Sequence, residues 1–349
     1  MSSDASSVAA AGPSNARRTS DVIVRLLVRM FVRLGVLPFM LVSAIGVFSL
    51  TSEHFLTAQN LTNLLRQSVY LILVSLGQML VLVTGGFDLS VGTAVAITSV
   101  VSALTMSGII HAWPEMAWLA IAAGCAGGML AGLTLGLVNG AGVAFLGVSP
   151  FIMTLGVQSI GFGLALYLTG GVPVSGMPRE FGELFGFGSV FGIPWPVLVT
   201  AVIAALLYLL MSRTVTGNYL LAVGGNPKAA ALSGVNNRKV LLTAYLLCAL
   251  LASISGLLLT ARVETGEANL GGTIALESIA ACVIAGVSLR GGIGRVDTVI
   301  LGAIFIGLVQ NGMNLTNIGS YLQMVVLGTL LIIAVVADEI RHRLIVPAS

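Results

Sequence analysis

Residues 67–110 read QSVYLILVSLGQMLVLVTGGFDLSVGTAVAITSVVSALTMSGII, and Asp88 is their only charged side chain. Two apolar runs, 67–84 and 89–110, flank a Gly85-Gly86 pair and that one carboxylate. A bilayer core about 30 Å thick takes roughly 17–25 apolar residues per helix. Each run is therefore long enough to cross a membrane. Working outward, the same test finds further spans at 34–50, 116–138, 148–169, 193–211, 240–261, 273–289, 296–313 and 320–337. The expected fold is an all-α polytopic membrane protein of about ten transmembrane helices.

Composition agrees. Of 349 residues 57% are apolar and 8% charged, where a soluble domain carries about 25% charged. So few charges cannot coat a water-facing surface. The 43 glycines fit lipid as well, because small residues let helix backbones approach where packing drives association. Gly124, Gly128, Gly132 and Gly136 recur every four positions and are expected to form a packing seam.

The cations orient the chain. An N-terminus in the cytoplasm leaves only Arg66, Arg179 and Arg262 outside, with the remaining 13 of the 16 lysines and arginines inside. That asymmetry is the positive-inside pattern, and it places both termini in the cytoplasm. The net charge of +3 is explained by this bias, so nucleic acid is not an expected partner. Residues 1–20 are expected to be a disordered cytoplasmic tail. In 21–33, Arg25, Arg29 and Arg33 recur on one side of an otherwise apolar helix, an amphipathic interfacial pattern. The membrane domain is then 34–338, followed by a cytoplasmic tail, 339–349.

The longest cytoplasmic connection, 212–239, has structure of its own. Asn226 followed by Pro227 is a helix-start signal, opening the run Lys228 to Ser233. Order in a cytoplasmic loop points to a docking surface. A faint repeat links Leu135–Gly140 with Ile306–Gly312, in spans of opposite direction, as in inverted-repeat transporters.

Catalytic chemistry is not visible. The two lysines, Lys228 and Lys239, both lack the GxxxxGK[ST] context of a phosphate-binding loop, so ATP hydrolysis belongs to another subunit if it drives this one. Cys125, Cys248 and Cys282 lie in apolar runs without CxxC spacing, and His54, His111 and His342 are scattered; no metal site is expected. Acidic residues within spans are costly and suggest function. Asp88 and Glu277 qualify, although each also reads as a helix-start carboxylate. Uncharged amides in the spans are Gln67, Gln78, Asn139, Gln158, Gln310, Asn311 and Asn314. They suit a polyol pathway or plain interhelical bonding. The expected translocation set is Asp88, Gln78, Gln158, Glu277, Asn311 and Asn314.

Thr84 to Gly92 resembles the Gly-Gly-x-Asp-Leu-Ser-Val-Gly signature of ribose/xylose-type ABC importer permeases. Gly217 to Val235, Ala280 to Arg295 and Asn311 to Leu315 resemble further family stretches, and together they cover roughly residues 55–337. Asn218 and Arg290 depart from the pattern, where Arg and a small residue respectively are common. The resemblance implies a type II-like permease of the bacterial inner membrane that moves a monosaccharide inward and is not itself an enzyme. Its implied partners are a second permease copy, two ATP-binding subunits carrying ATP and magnesium, and a periplasmic sugar-binding protein; no cofactor is implied on this chain. Gly224, Gly225, Asn226, Ala229, Ala230, Ser233 and Gly234 are implied to couple it to the ATPase. An importer of the same build for a nucleoside, autoinducer or amino acid stays open, as does an ion-coupled transporter. The Asp-Leu-Ser core favours a sugar.

Overall fold

A computed structural model describes residues 37–345, with side chains left aside at 334, 337, 338, 340 and 341–345. The expected tail 1–20, the expected interfacial helix 21–33 and the last four residues of the 339–349 tail lie outside the described residues.

Helices occupy all ten expected places. They are α1 (Leu37–Thr51), α2 (Ala58–Leu82), α3 (Val91–Ala112), α4 (Ala117–Ala144), α5 (Pro150–Thr169) and α6 (Trp195–Arg213). The connection that follows holds α7 (Val215–Gly225) and α8 (Pro227–Leu232), and then come α9 (Asn237–Val263), α10 (Ile274–Ile284), α11 (Val296–Leu315) and α12 (Ser320–Ile345). Seven of these are long and apolar enough to cross a membrane; Leu37–Thr51, Ile274–Ile284 and the apolar part of α12, Ser320–Ile333, are shorter. The chain is a multi-pass, all-α membrane protein.

Burial sorts the helices into a centre and a rim. In α2, 83% of the span is buried by protein, against 22% in α5. Around α2 pack α9, α10 and α11, while α4 leans on α3 and α9. The expected glycine seam is what brings α4 in. A Cβ on Gly128 would stand 2.8 Å from the Thr98 carbonyl oxygen, and one on Gly136 would meet the Ala249 methyl and stand 2.9 Å from the Tyr245 carbonyl. Tyr245 and Ala249 belong to α9 and Thr98 to α3, so a single glycine stripe seats α4 in the groove between two neighbours.

Boundaries moved where protein replaces lipid. The second helix begins at Ala58, not 67, because Thr57 caps it by accepting from the Asn60 N–H at 3.3 Å. Arg66, expected in a loop, is therefore helical, and the Arg262 guanidinium of α9 sits 5.8 Å from the Tyr70 ring centre nearby. The apolar run 273–289 breaks early: α10 stops at Ile284, and Gly286 takes a left-handed φ of 83°. Eleven helical residues extend about 16 Å at 1.5 Å each, so α10 crosses only about half of a bilayer core.

Between α5 and α6 a helical turn at Arg179–Phe181 runs into a π-helical turn, Gly182–Phe187, and then a two-stranded hairpin, β1 (Ser189–Val190) and β2 (Ile193–Pro194). The hairpin pairs Ser189 with Pro194 and Val190 with Ile193. Val174, earlier in this connection, makes an antiparallel bridge with Gly266.

Candidate functional site

The segment 83–90 does not simply link α2 to α3; it folds back beside α2. Gly85 adopts a left-handed φ of 82°, and the Gly86 N–H bonds the Val81 carbonyl at 3.1 Å. With its amide turned to satisfy both partners, Gln78 donates to the Asp88 carbonyl at 3.0 Å and accepts from the Asp88 N–H at 3.3 Å. Gln78 lies a turn before the end of α2, so Asp88 stands alongside that helix and α3 starts inside the bundle.

Asp88 is 1% exposed. Its Oδ1 accepts from the Ser90 N–H at 2.9 Å and from the Ser90 hydroxyl at 2.7 Å. Asn139 of α4 donates to Ser90 Oγ at 2.7 Å and reaches Asp88 Oδ1 at 3.5 Å. The Tyr245 hydroxyl donates to the Phe87 carbonyl at 3.1 Å. Asp88 therefore closes an Asx-type turn, and Ser90 occupies the cap position of α3 without a side-chain cap bond. The carboxylate sits at a helix start, as the sequence suggested, but braces the entry loop and not the helix's own free N–H groups.

Two further segments close on this loop. The Gly292 N–H donates to the Val83 carbonyl at 2.9 Å. A Cβ at Gly224, near the end of α7, would run into the same carbonyl and stand 2.7 Å from the Gly292 nitrogen. Gly291, at φ 87°, leaves room for only 2.7 Å between such an atom and the Gly224 carbonyl. Three glycine-bearing segments thus touch backbone to backbone: 83–90, the α7–α8 hairpin and 286–295. Gly225 differs from Gly224, because nothing lies closer to its would-be Cβ than the Gly292 Cα at 4.0 Å.

The α7–α8 hairpin is built by side-chain caps. Thr214 Oγ1 accepts from the Gly217 N–H at 3.3 Å, Asn226 Oδ1 from the Ala229 N–H at 3.0 Å and Asn236 Oδ1 from the Lys239 N–H at 3.1 Å. These satisfy N–H groups that a helix start leaves free. Of the residues expected to couple, Ala230 is buried while Ala229, Ser233 and Gly234 face outward. Leu232 at the tip of α8 is 90% exposed.

At the far end of the bundle the geometry is different. Asn60 of α2 and Asn311 of α11 exchange amide hydrogen bonds at 2.9 and 3.0 Å. Asn60 and Leu82 are 22 residues apart in one helix, so this pair lies about 33 Å from the junction. Segment 264–273 re-enters along α3: the Glu267 N–H donates to Ser99 Oγ at 3.2 Å, and Gly271 abuts the Gly92 backbone. The half-length helix α10 follows, with Glu277 in its first turn. A cavity of about 360 Å³ opens between α10, α11 and α12, and Glu277, Gln310 and Gln323 are among its walls. Gln323 Nε2 is held by Asn314 Oδ1 at 2.7 Å and the Ile318 carbonyl at 2.8 Å.

The six residues expected in the pathway therefore do not form one line. Asp88 and Gln78 meet at the junction, while Glu277 borders the cavity and Asn314 holds Gln323 at its edge. Asn311 is engaged with Asn60, and Gln158 is on the rim helix α5, where its carbonyl accepts from Thr93 Oγ1 at 3.2 Å. Sequence reading did not single out Asn60 or Tyr245, since an amide or phenol in a helix reveals its partner only through packing. Among the described residues no group of three His, Cys, Asp or Glu is placed to hold a metal. Cys248 packs against Gly77, and Cys282 Sγ donates to the Ser75 carbonyl at 3.2 Å.

Residues 60–335 match the family described as the branched-chain amino acid transport system permease component. The D-allose transport system permease protein AlsC of Escherichia coli is 34% identical over 87% of this chain and 91% of its own length. The ribose import permease protein RbsC of Escherichia coli is 35% identical, covering 84% and 90%. The galactose/methyl galactoside import permease protein MglC of Haemophilus influenzae is 33% identical, covering 87% and 93%. No solved structure matches the chain.

Proposed function

The chain belongs to the branched-chain amino acid transport system permease component family, and from that premise we propose that it is the membrane subunit of an ATP-driven importer of a monosaccharide. The family description names amino acids. The three relatives above, each aligned over most of both chains, are named for allose, ribose and galactose. The sugar reading rests on them.

The junction supplies the mechanism. A separate ATPase docks on α8, whose outward face presents Leu232 and Ser233. Gly224, at the root of that hairpin, bears on Val83 and Gly292. Those residues lead into α3 and out of α10, so movement of α8 is passed by backbone contact to the two elements that start inside the membrane. A contact between rigid backbones transmits displacement better than one between flexible side chains, which absorb it. ATP and magnesium stay on the partner, and this chain contributes the path and the lever.

In this reading the junction faces the cytoplasm, because Arg213, Lys228, Arg238, Lys239, Arg290 and Arg295 gather in its loops. The inner membrane is the home of the protein, with both termini inside. A second permease copy and a periplasmic sugar-binding protein complete the assembly.

Uptake of labelled pentoses and hexoses in cells with and without the gene tests this. Gene-dependent uptake of one sugar should stop on ATP depletion and survive an uncoupler while ATP is maintained. Uptake that collapses with the uncoupler alone would replace the reading with an ion-coupled transporter. Deleting 224–234 should abolish uptake and co-purification with the ATPase while the protein stays in the membrane; retained co-purification would remove α8 as the dock.

A further inference from the structure

We infer that the cavity between α10, α11 and α12 is a station on the sugar's route, where the Glu277 carboxylate and the Gln310 amide bind hydroxyl groups. This rests on the import reading above. The cavity's volume of about 360 Å³ lies at the small end of ligand sites, which run from about 300 to 1,000 Å³, as a single sugar ring requires.

Depth makes the two side chains notable. Because α10 extends only about 16 Å from its inner end, its first turn lies near the middle of the bilayer. Glu277 is in that turn, and Gln310 is in the last third of α11. Ionisable groups at such depth are costly and usually paired. Glu277 has no cation and no hydrogen-bond partner for its side chain among the described residues, and the Gln310 amide has none either. The first-turn position eases the charge of Glu277, but it gives no reason for an unspent amide facing the same space.

The walls indicate the ligand. Leu276, Ile306 and Leu327 provide apolar surface for the C–H face of a ring. A carboxylate accepts from hydroxyls, while an amide both donates and accepts. Among the described residues no Lys or Arg lines the cavity, so the carboxylate of an amino acid would find no counter-charge among them. A neutral polyol meets all of these groups.

The complete transporter, with its ATPase and binding protein, is reconstituted in proteoliposomes and tested with labelled ribose, allose and galactose. Glu277→Gln and Gln310→Leu should each lower uptake at sub-saturating sugar at least tenfold, with a raised KM and with membrane abundance and co-purification of the ATPase unchanged. A Cβ on Gly328 of α12, another wall residue, meets nothing within 4 Å. Gly328→Leu should therefore fill the space without a clash and block uptake, which keeps the test readable if a polar variant is poorly made. Uptake within twofold of the parent for all three variants would overturn the station while leaving the importer intact. Absence of uptake of any sugar by the unaltered transporter would overturn both readings.

Discussion

Gly224 lies at one end of the bundle and Glu277 near its middle, and their surroundings differ in kind. Around Gly224, three segments touch through backbone atoms, and the nearby carboxylate of Asp88 is committed to Ser90, with Asn139 beyond it. Around Glu277 a cavity opens between α10, α11 and α12, and the Glu277 and Gln310 side chains that face it have no hydrogen-bond partner among the described residues. Gly224 has no room for an added atom, whereas the cavity has room for a ligand. A machine that turns motion at one end into passage through the bundle needs this asymmetry. The lever must be stiff, and the path must leave polar groups unspent until substrate arrives.

Substitutions sharpen the contrast, and the largest effect belongs to the junction. Gly224→Ala places a methyl against the Val83 carbonyl, where only backbone can give way. A loss of about 3 kcal/mol in thermal unfolding of the purified protein is expected, at the upper end of overpacking costs, together with loss of uptake. Gly225→Ala next door should change neither measurement, because its nearest neighbour is 4.0 Å away. Equal damage from the two would erase the distinction between a tight and an open glycine.

Asp88 ranks next. Asp88→Ala strips the Ser90 N–H and hydroxyl of their buried acceptor, at about 2 kcal/mol. Asp88→Asn keeps an oxygen in place and should be mild in both unfolding and uptake. Abolished uptake by a normally expressed Asn variant would make the charge itself functional.

At the far end, Asn311→Leu breaks the reciprocal pair with Asn60. Polar contacts between membrane helices average about 0.6 kcal/mol and reach roughly 1.7; the upper part of that range is expected here, since both amides are buried. A double variant with Asn60→Leu should lose more, because Asn60 Nδ2 also donates to the Phe55 carbonyl at 2.8 Å and that acceptor would then lack its donor. Smallest of all is Arg290→Ser. Its pairing with Glu339 is 3.7 Å long, with side chains 74% and 44% exposed. Screening leaves well under about 0.5 kcal/mol, and a larger shift would point to a contact made only with a partner.

The sequence displayed the helices because lipid enforces apolarity over a set length. It displayed α8 because Asn226-Pro227 is a local start signal. It misjudged α2, whose first turns carry Asn60 and Arg66: where neighbouring helices satisfy polar groups, hydropathy no longer marks the end of a span. It also read 273–289 as one span. Nothing in the apolarity of Ala285 to Leu289 announces that Gly286 turns left-handed and that the chain then runs back to Val83. The coupling set showed the same limit from the other side. Gly224 and Gly225 are indistinguishable as letters, yet only one of them is jammed against a carbonyl.

What the sequence determined by itself was the solvent, the places of the ten apolar helices and a capped start at Asn226-Pro227 between spans, all consequences of transfer energy and local hydrogen bonding. Tertiary structure alone decided the rest. Asp88 is tied to Ser90 close by and that pair is locked by Asn139, 51 residues on, whereas Glu277 is left open because α11 and α12, later in the chain, stand back to leave a cavity. Whether a buried polar group is spent depends on which atoms packing brings within about 3 Å, and no local pattern of residues encodes that distance.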